Sequence, residues 1–170
     1  MAKVLFVVAP ANFRDEELFQ PKESLEKCGH ITFIASDKKG LCKGVQGGSI
    51  QAEASLKEID PEGFDAVVFV GGGGSRVFFD DPEAWRIARE MADRDKLVAA
   101  ICIAPVILAN AGLLQGKHAT VYSDEIKTIE KKGARYTHPG VTADGRIVTG
   151  DSPKSALMFG EKLCEMLKAH

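Results

Sequence analysis

Residues 98–105, VAAICIAP, place a single thiol between an apolar run and a proline. Leu97–Ile101 reads as a buried strand, and Pro105–Leu114 as the helix that follows it at once. Cys102 sits at the join, with Ala100 two residues before it and Ala104 two residues after. Small residues at those offsets suit a sharp strand-to-helix turn, which lifts its central side chain out of the sheet. Pro105 loses nothing at the first helical position, because that N–H has no intrahelical partner. The thiol then lies at a helix N-terminus, where the helix dipole favours a thiolate. A second reading stays open: a free cysteine at a strand end is often plain core.

Strands and helices alternate on both sides of this join. Lys3–Ala9 is apolar without a break, as a central parallel strand is. Pro10–Arg14 reads as a loop, Glu16–Cys28 as a helix stopped by Gly29, and Ile31–Ser36 as the second strand. Lys38–Gly48 is polar and glycine-rich, and Val45–Ala52 is expected to pair as a short hairpin beside the main sheet. Ala54–Ile59 has the pattern of a short amphipathic helix, and Pro61–Phe64 that of a turn. Ala66–Val70 is another buried strand and runs directly into Gly71–Gly74. Pro82–Arg94 is a helix with Trp85, Ile87, Ala88 and Met91 as its apolar members. Ala119–Val121 reads as a strand, and Glu125–Lys132 as a charged helix closed by Gly133. Arg135–Thr137 and Ile147–Thr149 are short strands, with Asp144-Gly145 as a turn between them. The last helix opens with Ser152 as N-cap and Pro153 at its first position. Its inward face is expected to hold Leu157, Phe159, Gly160, Leu163, Cys164 and Leu167.

This alternation predicts one α/β domain over residues 1–170, with a mostly parallel sheet and helices on both faces. Ligands in such sheets bind at the carboxyl ends of the strands. The Pro10–Glu17 loop, the Gly71–Gly74 loop and the Cys102 turn all fall at those ends. Their convergence favours the nucleophile reading of Cys102.

Composition narrows the partners. A net charge of -2 without a long basic run argues against nucleic acid. Met1-Ala2-Lys3 leads straight into the strand-length run Val4–Val8, so no signal peptide is expected, and no apolar stretch approaches the ~20 residues of a membrane span. The four cysteines, Cys28, Cys42, Cys102 and Cys164, are widely spaced with no CxxC pair. That argues against a zinc or dithiol framework and for reduced thiols in a cytoplasmic protein. Cys42, in a polar loop, is expected to be the most exposed of the four, and Cys102 the most reactive.

The glycine run lacks the Lys-Ser/Thr of a phosphate loop, and no GxGxxG opens the first helix. Close backbone approach beside the turn is the better account. The N–H groups of Gly72 and Ile103 could then face a developing oxyanion. A flexible turn is the alternative. Arg14-Asp15-Glu16-Glu17 holds three acids in a row. Such runs are usually solvated helix starts, yet this one follows the first strand, and one protonated carboxyl could donate to the thiolate. His30, His138 and His170 read as peripheral and His118 as structural or exposed, so no Cys–His pair is visible locally.

At this point the residues resemble the ThiJ/PfpI superfamily over nearly the whole chain. The matching stretches are KVLFVVA at the start, FRDEELFQP at Phe13–Pro21, CGH at Cys28–His30, FDAVVFVGG at Phe64–Gly72, AICIAP at Ala100–Pro105 and LANAGLLQGK at Leu108–Lys117. The resemblance implies a fold of the flavodoxin-like, class I glutamine amidotransferase-like kind. It implies Cys102 as nucleophile, Glu17 as the acid bonded to it, Gly71 and Gly72 as backbone donors, and Tyr122 near the pocket. It also implies a homodimer or higher assembly, to which Val77-Phe78-Phe79 could contribute. Three departures stand out. Ile103 occupies the place of the His in Cys-His-Gly-Pro of PfpI-like members, Val70 replaces a Pro, and Asp151 replaces an Arg.

The leading expectation is a cofactor-independent, metal-free thiol enzyme acting on small carbonyls of the glyoxalase or deglycase type. Alternatives are an oxidative-stress sensor, a chaperone-like dimer, and an intracellular peptidase or amidase. The last is disfavoured because Ile103 replaces the partner His. The deglycase branch also lacks that His, so Ile103 leaves family-type thiol chemistry intact.

Overall fold

A computed structural model describes residues 1–168; Ala169 and His170 lie outside the described residues. In chain order the first half contains β1 (Lys3–Val7), β2 (Ala11–Phe13), α1 (Asp15–Lys27), β3 (Ile31–Ser36), β4 (Gly40–Gly44), β5 (Ser49–Ala52), β6 (Ala54–Ser55) and β7 (Ala66–Phe69). The second half contains α2 (Pro82–Asp93), β8 (Leu97–Ile101), α3 (Pro105–Asn110), β9 (His118–Ala119), α4 (Ile126–Lys131), β10 (Arg135–Tyr136), β11 (Val141–Asp144), β12 (Ile147–Gly150) and α5 (Ala156–Lys168).

The unbroken apolar runs form the middle of one seven-stranded sheet, ordered β11-β12-β8-β7-β1-β3-β6. Every neighbouring pair is parallel except the β11–β12 hairpin at one edge. All of β7 and β8 is buried, so both faces of the central sheet are covered. α1 and α5 pack against each other, as do α2 and α3. Gly160 allows the α1–α5 approach, because a Cβ there would come within 2.9 Å of the Pro21 Cα. This is the expected single α/β layer structure.

Several local expectations change. The Pro10–Arg14 segment contains β2, which pairs with β4 in a small second sheet. The hairpin is β4–β5, and its first strand, Gly40–Gly44, lies ahead of the Val45–Ala52 segment expected to hold it. Ala54–Ile59 is not a helix but the edge strand β6 and a single 3-10 turn, closed by a Ser55–Glu58 capping box. α3 stops at Asn110, ahead of Gly112 with φ +84°. The strand expected at Ala119–Val121 lies earlier, as the two-residue β9, and Arg135–Thr137 shortens to β10, which pairs with it. Ser152 caps nothing with its side chain, and a 3-10 turn at Pro153–Ser155 precedes α5. Leu157 faces outward at 56% exposure, while Phe159, Gly160, Leu163 and Cys164 hold the inward face as expected. In Val77-Phe78-Phe79, Phe78 is core and Val77 is exposed.

The cysteines differ most from expectation. Cys28 and Cys164 form a disulfide that ties the end of α1 to α5 across 136 residues of chain. Cys42 is fully buried, since its side chain points inward from β4. Among the described residues no helix is long and apolar enough to cross a membrane.

Candidate active site

The site is built from the strand ends that the sheet brings side by side. β8 ends at Ile101, and Cys102 takes φ +67°, a left-handed conformation uncommon for a side-chain-bearing residue. Its backbone is held from two sides. The Cys102 N–H donates to Gly150 O at 2.9 Å, and the Cys102 carbonyl accepts from Tyr122 N–H at 2.8 Å. The strain fixes the thiol at the top of the sheet, 8% exposed. Ala100 and Ala104 flank it, both fully buried, as the steric pattern requires.

The neighbouring strand β7 ends in the glycines. Gly71 lies behind the thiol: a Cβ there would strike the Glu17 carboxyl and come within 2.6 Å of the Cys102 Cβ. Its carbonyl accepts the Arg14 N–H at 3.0 Å, which ties the first loop to the site. Gly72, with φ +98°, has backbone of residues 12–14 where a side chain would be. That packing turns the Gly72 amide toward the sulfur, and the Ile103 amide faces it as well. Of the residues expected to supply backbone donors, Gly72 and Ile103 turn their amides to Cys102, whereas Gly71 packs behind the thiol without donating to it.

The three consecutive acids have three different surroundings. Asp15 accepts backbone N–H groups of Gln46 at 2.9 Å and Gly48 at 2.8 Å. Glu16 pairs with Arg14 through two contacts of 3.0 Å. Glu17 is fully buried beside Cys102, and neither of its oxygens has another hydrogen-bond partner among the described residues. Burial pushes its carboxyl up to about 8, and the interaction with the Cys102 thiol only partly opposes this. At neutral pH Glu17 is a protonated acid.

The thiol is not simply activated, which corrects the expectation that the donors outweigh burial. Burial is the largest cause, followed by the negative charge of an ionised Glu17, and together they push Cys102 up to about 12. The Gly72 and Ile103 amides pull it down by less. A protonated Glu17 removes the second cause and replaces it with a hydrogen-bond donor. The carboxyl proton therefore decides how much thiolate forms.

A cleft of about 330 Å³ opens over the sulfur. Its floor is Cys102, Ile103 and Gly72, and Tyr122 and Pro153 form one wall. Arg14, Val45, Gly73 and Arg76 form the rest, and the sequence pattern does not point to Arg14, Val45 or Arg76 as site residues. Arg14 was visible beside the acids, but Val45 and Arg76 arrive from a hairpin and a 3-10 turn with no motif of their own. Asp151 does not line this cleft. It sits in an adjoining trough, where its carboxylate accepts from Ser155 Oγ at 2.6 Å and Ser152 Oγ at 3.1 Å. His30, His118 and His138 lie away from the thiol, each paired locally.

The chain is similar in sequence and fold to known proteins. The sequence profile of the DJ-1/PfpI family matches residues 2–166. An uncharacterized protein of Methanocaldococcus jannaschii is 42% identical over 171 residues, covering 99% of this chain and 82% of that one. Deglycase PfpI of Pyrococcus furiosus is 33% identical over 166 residues, 98% of this chain and 99% of the relative. The crystal structure of a ThiJ/PfpI domain protein from Brachyspira murdochii superposes with a TM-score of 0.97 at 33% identity, covering 99% of this chain and 97% of that one. The chain belongs to the DJ-1/PfpI family.

Proposed function

We propose that the chain is a thiol-dependent enzyme acting on small reactive carbonyl compounds, 2-oxoaldehydes of the methylglyoxal type or their adducts on amines. One observation carries this reading: a buried, protonated carboxyl with no other partner stands beside a strained cysteine that two backbone amides face. The deglycase name of the Pyrococcus furiosus relative supports it.

The reaction follows from those groups. The Cys102 thiol first loses its proton to water, the sulfur then attacks the aldehyde carbon as a thiolate, and the carbonyl electron pair moves to oxygen. Glu17 gives that oxygen its proton, leaving a hemithioacetal and a Glu17 carboxylate. The Gly72 and Ile103 amides donate to charge developing at the reacting centre. The carboxylate then takes the proton from the former aldehyde carbon and returns it to the neighbouring carbon, while the hydroxyl proton passes to that neighbour's oxygen. The product is a thioester of a 2-hydroxy acid. Water cleaves it to the free acid and restores the thiol, and Glu17 regains from water the proton it gave to the substrate oxygen. The sequence is redox-neutral overall, adds one water, and calls on no cofactor.

A second reading shares the same groups. Peroxide would oxidise Cys102 to sulfenate and sulfinate, whose oxygens the amides and the Glu17 proton would bind. Peptidase activity lacks a base, because Ile103 follows the thiol and no histidine lines the cleft among the described residues. The deciding experiment is methylglyoxal turnover by wild type, Cys102→Ser and Glu17→Gln side by side. Turnover in the wild type that falls by at least ~100-fold in both variants is expected. Equal rates in wild type and Cys102→Ser would refute the reading.

A further inference from the structure

The cleft over Cys102 is one-sided in charge. Two arginines line it, Arg14 and Arg76, and among the described residues no aspartate or glutamate does. The acid behind the thiol, Glu17, is sealed from solvent. The Gly72 and Ile103 amides present N–H donors to the sulfur.

The two guanidinium groups are placed differently. Arg14 gives Nε and Nη2 to Glu16, so much of its charge is already balanced, while its Nη1 makes no hydrogen bond among the described residues. Arg76 is 60% exposed, and its nearest carboxylate, Glu125, stands 4.0 Å away. It rests over the Phe79 ring at 5.5 Å, which gives the guanidinium a seat without neutralising it. Planar guanidinium forks match carboxylates. A cavity of about 330 Å³ has room for a short carbon chain between the sulfur and that fork.

Resting on the carbonyl reading above, we propose that the preferred substrates are compact anionic carbonyls. The reacting aldehyde sits at Cys102, and a carboxylate at the far end of the molecule is held by Arg76 with help from Arg14 Nη1. A neutral aldehyde such as methylglyoxal fits the same cleft and leaves this fork unused.

Two alkylating reagents test the charge preference without depending on turnover. Iodoacetate and iodoacetamide are nearly equal in size and react identically: sulfur bonds to the CH₂ carbon, the C–I bond breaks and iodide leaves. They differ by one negative charge. The rate at Cys102 is read by peptide mass mapping, and the iodoacetate-to-iodoacetamide ratio is compared with that of glutathione. Methylglyoxal turnover is measured on the same preparation.

The expected ratio is roughly three- to tenfold above glutathione's, and high salt narrows it. Arg76→Gln is expected to bring it down to near glutathione's and Arg14→Gln to lower it less. Arg135→Gln, a surface change outside the cleft, serves as the control and retains the wild-type ratio. A wild-type ratio no higher than glutathione's, with turnover intact, overturns the anion preference and leaves the carbonyl reading standing. A raised ratio without turnover supports the charge selectivity and sinks the carbonyl chemistry. No alkylation by either reagent overturns both.

Discussion

Glu17 is the residue on which the site turns, and its burial makes two measurements diagnostic. Folding lifts its carboxyl from the usual 4.5 to about 8. Below pH 4.5 the acid is protonated whether folded or not, so it has no linked effect. Between 4.5 and 8 the unfolded chain ionises it and the folded chain does not. The folded state then binds more protons, and its stability falls as pH rises. The loss is on the order of 5 kcal/mol by pH 8. Glu17→Gln cannot ionise, so urea titrations should show it more stable than wild type at pH 8–9, with the gain shrinking toward pH 4.5. The second measurement is the pH profile of Cys102 alkylation by iodoacetamide. An isolated thiol speeds up about tenfold per pH unit below its own titration. In the wild type that rise should flatten above about pH 8, where the new Glu17 charge opposes thiolate formation. The flattening should be absent in Glu17→Gln. An unbroken rise in both proteins would separate the two groups electrostatically and remove Glu17 from the mechanism.

At the scale of elements, the first turn of α1 controls both the thiol and the cleft wall. Asp15 holds the tip between β4 and β5 by two backbone N–H groups, and Val45 from that tip lines the cleft. Gly44 and Gly48 permit this, since a Cβ at either would strike the Asp15 carboxylate. Asp15→Ala would strand two N–H donors and should cost about 2–4 kcal/mol. The melting temperature should fall by about 5–12 °C. Amide exchange at Gln46 and Gly48 should quicken, and iodoacetamide should reach Cys102 faster. Unchanged exchange at those two amides would mean the hairpin tip holds itself. The sequence showed the Cys102 turn because small residues around a strand-end nucleophile are a local steric requirement. It did not show the Asp15 latch, because the partners lie 31 and 33 residues away and contribute only backbone atoms. The same reason hid Val45 and Arg76: neither belongs to a periodic element, and their positions are set by how two small loops fold over the sheet.

At the scale of the whole molecule, alternating apolar runs and amphipathic helices were enough to read the parallel sheet, since each central strand must be covered on both faces. The disulfide was outside that logic. Cys28 and Cys164 are 136 residues apart, and no spacing rule connects them. They meet because α1 and α5 pack on each other at Gly160, which brings the end of one helix beside the middle of the other. Joining them closes nearly the whole chain into a loop and removes much of the freedom of the unfolded state. The loop-entropy relation puts that near ~5 kcal/mol for a loop of this length, and measured values more often reach about 2–4 kcal/mol. Since α1 also carries Glu17, the staple and the site share a helix, but the bond lies three turns from the carboxyl at the far end of α1. Its loss should therefore lower stability without altering the thiol chemistry. The expected result for Cys28→Ser/Cys164→Ser, or for wild type under dithiothreitol, is a melting temperature lower by about 5–15 °C. The rate of Cys102 alkylation and its pH profile should match the oxidised wild type well below the melting range. Cys28 is exposed, so a reductant can reach the bond without unfolding the protein. An unchanged melting temperature in the double variant would show that the two helices hold together by packing alone. A changed Cys102 profile would show instead that the staple sets the position of Glu17 along α1.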